Sequence, residues 1–312
     1  MARPLPTLHG FVGQRSIVDT LQAHVQGARS KSEPLPPTLL VGPSGIGKTE
    51  LAKAIASETA TNFVELYSPS NPRRWQIIEI LRALKPLDVA FIDEIHTFPG
   101  ECQELLYPAI DLHRVPEVDT DKHRIVPGKW VDIVPFTLIA ATDQPGTLRK
   151  ALKSRFVMQY LLDYYNVSEL RQIVLNHAAE LGILLTPQAA TRLAEAARGI
   201  PRYACRRLES YRIWSQDLEQ EVTRGMIDRY LCSLGIGENN LTSTDVRYLE
   251  ILRDRGGRAS LDTLALQLNL DAIAVKFDVE AYLVRRGLIG IERGGRVLTG
   301  QGRQILSDGG LS

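Results

Sequence analysis

The chain has 312 residues, 44% of them hydrophobic and 23% charged, with a formal net charge of +1. That length exceeds one compact domain, so two or three are expected, and the hydrophobic share excludes an intrinsically disordered chain. The near-neutral balance excludes only an overall electrostatic argument about nucleic acid. Cys102, Cys205 and Cys232 are far apart and odd in number. They fit neither a disulfide framework nor a zinc spacing, so a reducing cytoplasm is the expected setting. No stretch approaches the ~20 apolar residues of a membrane span, and Met1-Ala2-Arg3-Pro4 opens without an apolar signal region, so no membrane partner is expected.

In chain order, Pro4 and Pro6 keep an N-terminal arm extended. Ile17, Leu21 and Val25 mark a helical stripe, and Lys31–Pro37 is a surface loop. Thr38–Val41 reads as a short buried strand. It runs into Gly42-Pro43-Ser44-Gly45-Ile46-Gly47-Lys48-Thr49, the pattern G-x-x-x-x-G-K-T, and then into the good helix former Glu50–Ala56. Strand, glycine loop and helix is the setting a nucleotide P-loop requires. Its backbone N–H groups cradle phosphates at a helix N-terminus, Lys48 reaches the β/γ-phosphates, and the Thr49 hydroxyl ligates Mg²⁺.

Phe63–Leu66 reads as a strand, Gln76–Leu84 as a helix and Asp88–Asp93 as an apolar strand that delivers Asp93 and Glu94 at its end. Asp93 suits a water-coordinated Mg²⁺, because hard cations take oxygen ligands. Glu94 is placed to accept a proton from the attacking water. His96 reads equally well as a structural or a catalytic histidine. A helix near Cys102–Ile110 follows. Between 112 and 135, Val115–Val118 and Trp130–Val134 read as two strands of a protruding hairpin around Asp119-Thr120-Asp121-Lys122. Phe136–Thr142 is a further strand. This alternation predicts an α/β domain, a parallel sheet with helices on both faces, over residues 1–160.

Residues 161–236 read as a helical domain with Ser168 and Thr186 as N-caps and a break at Gly199-Ile200-Pro201-Arg202. Gly235–Asn240 reads as a linker. In 237–312, three helices (Asp245–Asp254, Leu261–Leu268, Ala272–Arg286) precede a glycine-turned hairpin, the outline of a winged helix.

The P-loop, the Asp93-Glu94 strand, Thr142, Ser154-Arg155-Phe156 and Gly199-Ile200-Pro201-Arg202 follow the order of an AAA+ ATPase. More narrowly, nearly the whole chain resembles the RuvB family, the motor of Holliday-junction branch migration. The likeness rests on Arg3-Pro4, Val12-Gly13-Gln14, Asp93-Glu94-Ile95-His96, Glu104–Ala109, Pro135–Ile139 and Arg198-Gly199-Ile200-Pro201-Arg202. It implies an ATP- and Mg²⁺-dependent ring, expected to be hexameric, with a large ATPase domain, a helical lid and a winged-helix DNA-binding domain in each subunit. It makes Arg155 an arginine finger acting on a neighbour's site, Arg202 and Thr142 sensors of the γ-phosphate, and Arg3, Val12 and Tyr165 nucleotide-side residues. Val12 and Tyr165 also read as plain core residues.

The resemblance implies contact with duplex or branched DNA through Arg293 and Arg296. Between 281 and 312, five arginines face two acids, a local surplus of positive charge suited to phosphates, although a solvated charged face is the alternative. Three departures stand out. Asp143 occupies the place of a second family threonine. The wing reads Arg293-Gly294-Gly295-Arg296 where the family has Pro-Arg-Gly-Arg. The hairpin tip, apolar where the family docks its partner RuvA, is polar here, and aspartates are costly to desolvate. A motor translocating duplex DNA is therefore expected, with a RuvA-like or other adaptor at the 112–135 hairpin. The alternative is an ATP-dependent switch or loader that recruits another protein without moving DNA.

Overall fold

The computed structural model describes residues 6–66, 72–119, 121–215 and 220–307. Arg3, and Thr120 of the hairpin, lie outside the described residues. The chain divides into two compact units, 1–165 and 166–312, the lid and winged helix together forming the second.

In the first unit α1 (Arg15–Lys31) buries Val18, Leu21 and Val25 along one stripe. β1 (Thr38–Val41), α2 (Lys48–Thr59), β2 (Phe63–Glu65), α3 (Arg74–Ala83) and β3 (Val89–Ile92) follow, then a 3₁₀ turn at Ile95–Thr97 and α4 (Gly100–Leu112). β4 (Arg114–Asp119) and β5 (Arg124–Asp132) form an antiparallel hairpin, and β6 (Thr137–Thr142), α5 (Lys150–Lys153) and β7 (Met158–Leu161) complete the unit. The sheet is parallel throughout, in the order β2-β3-β6-β1-β7. β3 and β6 are central and buried on both faces, which is why Val89–Ile92 and Thr137–Thr142 are nearly continuous apolar runs. The C-terminal ends of β1, β3 and β6 lie side by side, so the P-loop, Glu94 and Thr142 emerge at one edge.

The hairpin differs from the sequence expectation in two ways. Its second strand begins at Arg124, ahead of the expected Trp130, because Pro127 and Gly128 hide the alternation and a bulge between Pro116 and Val118 shifts the register. It also does not protrude freely. Val115 and Val118 are buried in the main core with Ile78, Leu81 and Leu106, and His123 at the turn stacks on Trp75 at the start of α3, with ring centroids 4.2 Å apart. β7 went unread, since its four residues alternate too briefly to announce a strand.

The second unit opens with α6 (Val167–Leu181), α7 (Pro187–Ala196), α8 (Pro201–Trp214) and α9 (Arg224–Ser233). Thr186 caps α7, but Asn166 rather than Ser168 caps α6: Asn166 accepts from the Glu169 N–H while Glu169 accepts from the Asn166 N–H, a reciprocal box that Ser168 cannot form. α10 (Ser243–Asp254), β8 (Arg258–Ala259), α11 (Leu261–Leu268), α12 (Ala272–Ala274), a π-helical turn at Val275–Glu280, α13 (Ala281–Arg285), β9 (Ile289–Glu292), β10 (Gly295–Leu298) and α14 (Gly300–Ser307) make the winged helix. Its wing is a three-stranded sheet, β8-β10-β9.

Gly235–Asn240 is anchored rather than a free linker. Arg192, 2% exposed, donates to the Gly237 carbonyl (3.0 Å), to Asn240 Oδ1 (2.5 Å) and to Asp228 (2.6 Å). Arg198 pairs with the buried Asp245, donates to the Asn240 carbonyl and lies over the Tyr282 ring at 4.1 Å, while Arg285 donates to the Arg198 carbonyl (2.6 Å). Lid and wing are thus joined through arginines whose charges are matched by acids and carbonyls.

Candidate functional site

The P-loop leaves β1 at Gly42, where a Cβ would come within 2.9 Å of the Leu162 carbonyl oxygen, so only glycine lets the loop pass β7. Gly47 closes the loop at φ 105°, a conformation other residues rarely adopt, and α2 begins at Lys48. Lys48 is 5% exposed. Its ammonium donates to the carbonyls of Gly42 (2.8 Å) and Pro43 (3.2 Å) and stands 3.9 Å from Glu94. An ammonium satisfied on loop oxygens is equally able to meet phosphate oxygens. Thr49 follows on the first turn. Pro43, Ser44, Gly45 and Ile46 complete the curve, with Ile46 buried as its anchor.

Phe11 and Tyr165 flank Gly47, at 3.6 Å and 3.4 Å from where its Cβ would stand. Tyr165 is therefore at the loop, beside Phe11, an aromatic that sequence reasoning missed because a lone phenylalanine in an N-terminal segment carries no motif. Val12, the next residue, is half-buried, and the Gln14 side chain ties this segment to the Asp163 backbone (2.5 and 3.2 Å).

Glu94 holds a left-handed backbone (φ 48°), a strained conformation for a side-chain-bearing residue and a common one at catalytic positions. Burial holds its carboxyl above the usual carboxylate range. Asp143 and Asp93 push the same way, and Lys48 and His96 oppose them. His96 Nδ1 is 3.1 Å from Thr142 Oγ1, 3.3 Å from Glu94 Oε2 and 3.7 Å from Asp143 Oδ1. Only the Thr142 contact is aligned as a hydrogen bond, so Glu94 Oε2 is buried beside His96 without a hydrogen-bond partner. Thr142 Oγ1 also accepts the Gln144 N–H (3.0 Å). His96 thereby bridges the base to the end of β6. Asp93 is exposed beside them, with Oδ1 accepting the Glu94 N–H at 3.1 Å. The exposed Asp93 carboxylate, the Thr49 hydroxyl and the unsatisfied Glu94 oxygen are hard oxygen donors of the kind that suits Mg²⁺ with its waters.

Arg155 stands apart from this cluster, after α5. Asp111 accepts from its Nε and Nη2 at 2.8 Å, the Ala151 carbonyl accepts from Nη1 at 2.6 Å, and Tyr107 lies under the guanidinium at 4.4 Å. Arg202 is exposed at the second position of α8, in the other unit.

In the wing, Arg293 is exposed in the β9–β10 turn and its carbonyl receives Arg258. Arg296 is differently placed from the sequence expectation of a free phosphate ligand. Its guanidinium grips Glu280, 2% exposed, at 2.8 and 3.1 Å, and Tyr248 donates to the same carboxylate at 2.9 Å. The Arg296–Glu280 hydrogen bond raises the Arg296 pKa against the opposing effect of burial.

A P-loop, an acid pair at the end of the neighbouring strand, a threonine at the end of the next and an appended helical domain define an AAA+ ATPase. Family models match along the chain: the Holliday junction DNA helicase RuvB P-loop domain over residues 2–162, the RuvB AAA lid domain over 165–236 and the RuvB C-terminal winged helix domain over 238–307. The chain belongs to the RuvB family. Among solved structures, it is 31% identical to the Thermotoga maritima RuvB Holliday junction branch migration motor (TM-score 0.81, covering 97% of this chain and 98% of that one). It is also 31% identical to a point mutant of Thermotoga maritima RuvB (TM-score 0.83, covering 98% of this chain and 99% of that one). NtrX from Brucella abortus, in complex with ADP, shares the fold at 17% identity (TM-score 0.52; 87% and 69%).

Proposed function

We propose that this chain is a ring-forming ATPase that converts ATP hydrolysis into translocation of duplex DNA, in the branch migration of Holliday junctions during recombination and repair in the cytoplasm. The observation that carries this reading is the convergence of Lys48, Glu94 and Thr142 at one sheet edge, in a chain similar to a branch migration motor along nearly its whole length.

Backbone amides of Gly42–Thr49 and the Lys48 ammonium bind the phosphates and hold the γ-phosphoryl in line. Thr49 and Asp93 would hold Mg²⁺, which would supply positive charge at the phosphate oxygens when bound. Glu94 accepts the proton of the attacking water; its raised pKa makes it a better base once Lys48 turns to phosphate. His96 and Thr142 keep the Glu94 carboxylate and the end of β6 in register. Arg155 of a neighbouring subunit stabilises charge on the transferring phosphoryl, which is the reason a ring, expected to have six members, is needed. Arg202 reports the γ-phosphate to the lid, and Phe11, Val12 and Tyr165 border the nucleotide. The wing meets DNA phosphates through Arg293, with Arg258 beside it.

An adaptor, RuvA-like or other, docks on the 112–135 hairpin. Its tip carboxylate Asp119 is turned onto Lys122 (3.8 Å), and Trp130 is exposed on β5. A switch or loader that does not move DNA is not favoured, because the likeness to a branch migration motor spans the winged helix as well as the ATPase. The deciding experiment is migration of a synthetic four-way junction with ATP, with and without a RuvA-type protein. Hydrolysis that never moves the junction under either condition would leave the switch as the function.

A further inference from the structure

The hairpin turn and the start of α3 enclose a cavity of about 370 Å³ that shares no residue with the nucleotide site. Arg73 and Arg74 line it from the start of α3, Arg124 from β5, and Glu101 is its single acid. Three positive charges against one negative make it the wrong place for a cation. Among the described residues none of the three arginines forms an ion pair, so their charges are uncommitted. Two N–H donors on the same wall, Arg74 Nε and Trp75 Nε1, are buried with no acceptor. Above it, His123 stacks on Trp75 with 26° between the ring planes, and His123 is exposed on its outer side. His123 adopts φ 49°, the strained backbone that turns its ring onto the indole.

We propose that this cavity binds single-stranded nucleic acid. One unpaired base lies on the outer face of His123 and extends the Trp75–His123 stack, while the flanking phosphates fall on Arg73, Arg74 and Arg124. Stacking on an aromatic platform beside arginines is the general physics of single-strand binding. A duplex cannot use the site, because its bases are already stacked on one another and present no free face. An acidic peptide would satisfy the arginines but leave the ring face unused. The wing, by contrast, meets only phosphates. The motor would therefore carry two kinds of DNA contact, one indifferent to strand separation and one that requires it.

The test uses the full chain without nucleotide, in a W130F/W214F background so that Trp75 alone reports. Three probes are titrated: an oligothymidylate of about eight nucleotides, an abasic oligomer of the same charge, and oligoglutamate of the same charge. Oligothymidylate is expected to quench Trp75 and to bind on the order of tenfold more tightly than the abasic strand. H123A should erase that difference while H123F retains it. R73A/R74A/R124A should weaken both strands and flatten the salt dependence. Equal binding of the two strands would reduce the cavity to an anion site and overturn the proposal. Oligoglutamate binding as well as oligothymidylate would make it a dock for an acidic protein, and no quenching by any probe would leave it without a ligand; either result overturns the proposal too. Basal ATP hydrolysis should be unchanged in H123A, so failure here is distinguishable from failure of the motor reading.

Discussion

The position proposed for the base, Glu94, is held at some expense to stability: its backbone is left-handed, its carboxyl is half-buried and one oxygen has no hydrogen-bond partner. A carboxyl whose folded pKa is raised contributes stability that is present below its unfolded pKa and lost as pH rises through the folded pKa. Glutamine does not titrate. Glu94→Gln is therefore expected to bind ATP and hydrolyse it at least about a hundredfold more slowly. In nucleotide-free protein it should also melt roughly 1–3 °C above wild type at pH 8, with the gain vanishing near pH 4. A melting point at or below wild type at pH 8 would mean that the Lys48 attraction outweighs burial. Asp143 raises the same pKa, so Asp143→Thr should move the acid limb of the turnover profile to lower pH, as read from kcat against pH. Lys48, Thr49, Asp93 and Glu94 were legible in the sequence because phosphate and metal chemistry dictates both their types and their spacing. The Thr142–His96–Glu94 bridge was not, since it joins residues 46 positions apart through a contact only the β3–β6 register creates.

Among the elements, the wing holds one arginine committed to a buried acid, Arg296, and one exposed arginine, Arg293, proposed to meet DNA. Removing the Arg296 guanidinium leaves Glu280 buried with only the Tyr248 hydroxyl to meet it. Arg296→Ala is expected to cost about 3–5 kcal/mol of stability, seen as a lower urea midpoint, and Glu280→Gln added to it should recover much of the loss. Arg293→Ala should change stability by less than about 0.5 kcal/mol, weaken binding to all duplex sequences alike, and reduce the salt slope by about one. Equal DNA affinity for Arg293→Ala and wild type across salt would move the contact to another surface. The contrast explains why composition failed here: a surplus of arginines marks a basic region, but which guanidinium is free depends on where the chain buries an acid. While α14 (Gly300–Ser307) went unread, helix existence in the second unit was readable from the 3.6-residue periodicity up to residue 286. The break of the third winged-helix helix into α12, a π turn and α13 was not, because an extra residue per turn leaves the apolar pattern nearly intact.

At the scale of the molecule, the role proposed for Arg155 needs a second copy that presents its nucleotide. Arg155→Ala should leave ATP affinity within about twofold and lower turnover by about 10³-fold or more. Adding subunits with Lys48→Ala and intact Arg155 should partly restore hydrolysis in mixed rings. Restoration absent at every ratio, with ring assembly verified by light scattering, would place the arginine's action elsewhere. The overall architecture was legible because each unit announces itself by a different pattern, strand–helix alternation and then helices closed by a glycine-turned hairpin. What stayed hidden was how the lid and wing meet, since Arg192 and Arg198 look like surface residues until their partners from 228 to 245 close on them. Arg207 shows how dry that region is: burial, reinforced by Arg198, brings its pKa down to about 10. Arg198 lies four residues before Arg202 and is clamped to Asp245 at the base of the winged helix, across a turn whose two residues, Arg198 and Gly199, both have positive φ. With Arg202 as the proposed sensor and the winged helix as the proposed DNA module, so short a link makes the two share one displacement. On that reading the distance moved along DNA per hydrolysed nucleotide is expected to be set by geometry and to stay constant as the opposing load rises.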